Sequence, residues 1–299
     1  MSWLSRLFSP RRPEPKAPEP APPQAGLDPV LAPAQAAAVP LLAWLLHSGH
    51  PGDKAFTRNE QQALAALDKV LALPALPADL MPRAAALIPQ LLALLRQTQL
   101  PVAALAQRVA KDMVLSAEVL RLASSPFYRA QGAVTDLAQA IALIGEHGLQ
   151  TVIARVVLKP MYEAPAGTLG ARAAARQWEH AEALARQMSA GAAQAGQPAF
   201  DGYLAGLLHG TGWSIALRVL DKSQLPLSLP PSAVFCDAAA ERAHRLFGQA
   251  AQRWDITPGF GAFGADASAR PLAASSHPLA LAMRAAEPRV MAELQPVNG

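Results

Sequence analysis

Charge is scarce in this chain. Asp, Glu, Lys and Arg make up 16% of its 299 residues, against about a quarter in ordinary globular proteins. The net charge is +4. Arg6, Arg11, Arg12 and Lys16 lie near the start, against Glu14 and Glu19, so the rest of the chain is close to neutral. A nucleic-acid footprint needs a dense basic face, and the composition offers none. Cysteine is nearly absent as well, Cys236 being the single one. An intrachain disulfide is therefore excluded, which fits a reducing cytoplasm. A nucleophilic Cys236 would need a paired base, and none lies near it in sequence.

Long apolar runs are also missing. Residues 30–46 and 202–217 carry no charge, but Pro33 and Pro40 interrupt the first, and four glycines and His209 the second. Neither is the run of about 18 or more strongly apolar residues that spans a bilayer. The start places its charges after its apolar residues and then runs into prolines, the wrong order for a secretory signal. No alternating strand pattern of useful length occurs. Phosphate-binding GxxxxGK[ST] and strand-borne GxGxxG loops are absent, and the repeat Gly259-Phe260-Gly261-Ala262-Phe263-Gly264 has the wrong spacing. A GxSxG elbow is absent too.

What is abundant is alanine, which loses no side-chain entropy in a helix. The expected fold class is all-α. Residues 10–35 are dense in proline and read as an extended, disordered tail. Ahead of it, Trp3, Leu4, Leu7 and Phe8 fall at helical spacing. Residues 3–8 are too short to hold a helix alone, so a frayed terminus is expected, with contact to a partner or membrane surface as the alternative.

A short helix is predicted around residues 40–46, ending in a turn that holds His47 and His50. Thr57 and Glu60 form a capping-box pattern for a helix through about Leu73. Pro101 sits where a first turn tolerates it. Gly132 and Gly145 mark ends, and Thr135 is a candidate cap for the helix with Leu137, Ile141 and Ile144. A second helical half is expected over about 170–192, 200–220, 236–254 and 277–294.

Several motifs then appear in order: Leu73-Pro74-Ala75-Leu76-Pro77, Asp112, residues 120–128 (LRLASSPFY), Ala140-Ile141 with Leu143-Ile144-Gly145, Trp178-Glu179-His180, residues 204–212 (LAGLLHGTG), Phe247-Gly248 and residues 254–258 (WDITP). Together they resemble the HDOD domain, the HD-related output domain of bacterial signalling proteins. The resemblance covers about residues 69–260. It implies a multi-helix bundle in two halves, with residues 1–35 a tail, 36–68 a helical extension and 69–294 the HDOD-like domain. This sequence departs from the family pattern at Met113, Ser124 and Gly210, and lacks a late His-His pair near residues 258–267.

The resemblance also implies where a metal would be held in HD phosphohydrolases. His180 and His209 correspond to the histidine positions, and Gly210 stands where the neighbouring aspartate belongs. Catalytic sites keep at least three protein ligands. Asp237 and Asp255 are possible late aspartates, but neither lies in a matching motif. His180 and His209 are thus expected to be vestigial, with no metal, no cofactor and no catalytic residue. Gly202, Gly206 and Gly210 recur at helical spacing and predict one close-packed stripe, with His209 packed beside it and Tyr203 and Trp213 filling the core.

The expected function is a non-catalytic, cytoplasmic signal-transduction module that binds a protein partner or a small ligand. The groove between its halves is the expected place. One alternative is a metal-dependent phosphohydrolase with a rearranged site. Another is DNA binding through a helix–turn–helix over residues 100–125, whose second helix offers only Arg121 as a contacting cation.

Overall fold

Helix follows helix along the chain. The structure, a computed structural model, describes residues 39–295 except 82, 83, 130–133 and 135. Among the described residues there is no strand. The tail and the peptide at residues 3–8 lie outside the described residues, as do Gly132 and Thr135.

The first half of the chain contains α1 (Leu41–Leu45), α2 (Arg58–Leu71), α3 (Ala84–Leu95), α4 (Val102–Val109), α5 (Met113–Ala123), α6 (Pro126–Arg129) and α7 (Leu137–Leu158). The second contains α8 (Leu169–Gln194), α9 (Ala199–His209), α10 (Thr211–Ser223), α11 (Ala233–Ala251), α12 (Pro258–Ala269) and α13 (Pro278–Leu294).

Many starts are set by side chains that accept the orphan amides of a first turn. The Thr57–Glu60 capping box is formed at α2. Asp112 accepts from Val114 N and Leu115 N at α5. Asp136 accepts from Gln139 N and is the cap of α7. Two side chains serve as long-range caps. Asp221 Oδ1, on α10, accepts from Leu169 N at 2.8 Å and so closes the start of α8. Glu60 accepts from Ser232 N at 2.7 Å, at the start of α11, while also serving Thr57. Burial alone would push this carboxyl up; the donors from Ser232 and Thr57 outweigh it and hold the group below its ordinary value.

The helix α7 is central to the first half and packs on α3, α4 and α5, and also on α9. At Gly145, whose φ of 66° is non-helical, one helical stretch ends and a second begins across a kink, as the sequence predicted. The segment Leu137–Tyr162 is apolar and long enough to cross a membrane, yet half of its most apolar window is buried inside the fold. In the second half, α8 packs on α9, α10 and α13, and α11 packs on α10 and α12. The N-terminal helices α1 and α2 dock on this half, α1 on α8 and α11, α2 on α10 and α11.

One predicted helix, 200–220, is two. α9 ends at His209 and α10 begins at Thr211. One contribution is local and one is distant: the carbonyl of Leu208 accepts from the Thr211 hydroxyl, and that of Leu207 from the Tyr162 hydroxyl. Backbone acceptors that would extend the ladder are thus taken by side chains.

Candidate functional site

The junction between α9 and α10 places His209 beside two other histidines. His180 comes from the middle of α8 and His244 from α11. His209 Nε2 lies 3.0 Å from His244 Nδ1. One of these nitrogens carries the hydrogen and the other accepts it. His180 donates from Nε2 to Glu287 Oε1 on α13, at 2.9 Å, because a carboxylate only accepts. Around the pair stand Phe247, 5.2 Å centroid to centroid from His209, and Phe263, 6.2 Å from His244.

Burial dominates the electrostatics. His209 is held well below the ordinary imidazole value by burial, then by His244 and His180 as neighbouring would-be cations. Burial lowers His244 to about 4 against the pull of Asp266. Two polar atoms at this site are buried without a hydrogen-bond partner in the protein, His244 Nε2 and Glu287 Oε2. Such orphans cost roughly 1–3 kcal/mol each.

The glycines around His209 do different jobs. A Cβ at Gly206 would come within 2.6 Å of the Ala185 backbone, and one at Gly202 would collide with the Met188 carbonyl. These two let α9 lie directly on α8. Gly210 does not continue the stripe, because it follows the helix break; a Cβ there would meet the Tyr162 ring, with Cε1 and the hydroxyl both at 3.0 Å. The place of the expected aspartate is therefore occupied by Tyr162, whose buried hydroxyl is bonded to Leu207. Trp213 is buried, as expected, one turn into α10.

His209, His244 and Glu287 open on one side into a cavity of about 610 Å³. Its walls include Leu41, Trp213, Leu272 and Met291, with Glu241 and Arg284 also lining it. The cavity lies among α1, α10, α11 and α13. A separate groove of about 680 Å³ lies between the halves, lined by Arg121, Tyr128, His147, Arg155, Arg186 and Tyr203 among others. Arg155 pairs there with Glu118 of α5 and Glu182 of α8.

The remaining sequence candidates sit elsewhere. Asp237 and Asp255 are exposed. His47 and His50 are exposed turn residues. Cys236 is buried in α11, and burial pushes its thiol up to about 11. Residues 102–123 do form two helices with a short turn, but Arg121 is engaged by Glu118.

A metal needs several donors converging on one point. Among the described residues no group of three or more His, Cys, Asp or Glu is placed to hold one. His180 and His209 each spend Nε2 on a protein partner, and Gly210 supplies nothing. The residues present do not fit the metal of an HD site. Sequence reasoning found His180 and His209 but missed His244 and Glu287. Their signal is tertiary: His244 lies one turn before Phe247-Gly248, and Glu287 is 107 residues from His180.

Comparison with known proteins agrees with the motif order. The family model described as HDOD domain matches residues 81–249. No curated protein matches. A crystal structure of an HDOD domain protein of unknown function from Geobacter sulfurreducens is similar, with a TM-score of 0.47 and 18% identity over 80% of this chain and 83% of that one.

Proposed function

The chain belongs to the HDOD domain family, and from that premise we propose that it is a non-catalytic signal-transduction module of the cytoplasm. It acts by binding a protein partner or a small ligand. The histidine positions of an HD metal site survive in it as packed, hydrogen-bonded groups. The observation that carries this reading is the loss of the carboxylate place at Gly210 to Tyr162, with His209 bonded to His244. A metal-activated water needs an open coordination position flanked by at least three protein ligands, a set that His180 and His209 alone do not complete.

The test is metal analysis of the purified protein, with hydrolysis of a phosphodiester such as bis(nitrophenyl) phosphate measured in added manganese or magnesium. We expect substoichiometric metal, no hydrolysis above background, and a melting temperature unchanged by EDTA. A stoichiometric transition metal that disappears in His180→Ala or His209→Ala would restore the phosphohydrolase alternative.

A further inference from the structure

The cavity beside the histidines combines features that point to a ligand class. Its walls are mostly apolar, and its volume of about 610 Å³ falls within the usual range of small-molecule sites. Glu287 lines this space: its Oε1 takes the His180 hydrogen, while its Oε2 is enclosed and unpartnered. A second carboxylate, Glu241, lines the same space. The opposing charge is single: Arg284, whose Nη1 is turned to the carbonyls of Leu272, Ala273 and Ser275. His209 and His244 face the cavity as uncharged rings.

Apolar walls, two carboxylates and one guanidinium favour a cation over an anion. Resting on the binding-module reading above, we propose that this cavity binds a compact apolar molecule with a single ammonium head, anchored on Glu287 Oε2. The ammonium satisfies the orphan oxygen, and the apolar body lies against Trp213, Leu272 and Met291. A neutral alcohol of the same shape can donate only one uncharged hydrogen bond, and a carboxylate meets like charge.

The experiment is calorimetric titration of the full chain with phenethylammonium, phenethyl alcohol and phenylacetate. The expected result is saturable binding of the ammonium, with the alcohol roughly tenfold or more weaker, as a charge-assisted bond implies, and no measurable phenylacetate binding. Glu287→Gln should erase the preference for the ammonium. Should that variant unfold through loss of the His180 bond, Ala240→Phe fills an exposed part of the wall and should block the ammonium while the melting temperature stays near wild type. Equal or tighter binding of the alcohol or phenylacetate, or no binding of the ammonium at millimolar concentration, overturns the proposal. The metal and hydrolysis measurements are read on the same protein. An empty cavity therefore leaves the regulatory reading standing, and metal-dependent hydrolysis overturns that reading whatever the amine does.

Discussion

Protonating His209 or His244 would put a cation where burial and a second histidine oppose it. In the unfolded chain an imidazole titrates near its ordinary value of 6.5, while in the fold His244 titrates at about 4. Between those values the unfolded chain binds more protons than the folded one. Stability is therefore complete above about pH 6.5 and falls as pH drops toward 4, with a slope approaching about 1.4 kcal/mol per unit for each such histidine. Urea midpoints at a series of pH values should show this fall, and His244→Gln should remove its share of it, leaving that of His209. A midpoint that stays level from neutral to acid pH would mean these rings are not buried as neutral groups. At the neighbouring position, Gly210→Asp does not rebuild an HD site. Its Cβ meets the Tyr162 ring, so its carboxylate must enter space that is already filled. It should cost about 2–3 kcal/mol by overpacking and desolvation and confer no phosphodiesterase activity, both read directly by thermal unfolding and assay. Gly210 shows what sequence can and cannot carry. The motif around it marks a missing aspartate, but the tyrosine that took its place is 48 positions away and has no motif of its own.

Helices meet here through particular pairs, and their substitutions should scale with backbone proximity. Gly206 lies on the α8 backbone at Ala185, so Gly206→Leu forces α9 away from α8 and should cost on the order of 3 kcal/mol or more. His209→Gln retains a hydrogen-bonding side chain of similar reach toward His244 and should cost clearly less. Urea denaturation of the two variants ranks them, and the reverse order would contradict the packing described. Glu60 makes the same point for a cap. The box with Thr57 is readable from residue spacing alone, and the structure adds Ser232, 172 residues on. Glu60→Ala therefore removes bonds at the starts of two helices and should cost about 2–3 kcal/mol, more than an isolated capping box; a loss under 1 kcal/mol would show the Ser232 bonds to be idle. Local signals of this kind (spacing, caps, small residues one turn apart) were legible. The break after His209 was not, because it depends on Tyr162 and Thr211 claiming carbonyls of α9, and Tyr162 arrives from a distant segment.

Across the whole molecule, the family match ends at residue 249, but the core does not. Residues of α1 and α2 share one hydrophobic cluster with α11, α12 and α13. The order of motifs was enough to place the family, and the alanine-rich composition the all-α class. It could not place α13 against α8, since the contact that fixes Glu287 on His180 spans 107 residues with no periodicity to mark it. Nor could it show that the N-terminal helices belong to the same folding unit. Leu42, Leu45, Leu46, Leu64, Leu67 and Leu71 are all buried. At about 1.5–3 kcal/mol for each buried leucine, removing them forfeits on the order of 10 kcal/mol, comparable to the whole stability of an ordinary domain. Their loss also uncovers apolar surface on α8, α10 and α11. A chain that begins at residue 72 keeps every residue of the family match, yet it should fail to show a cooperative thermal transition and should aggregate. Circular dichroism melting and size-exclusion chromatography decide the matter. A cooperative melt within a few degrees of the full chain would show that α1 and α2 decorate a core complete without them.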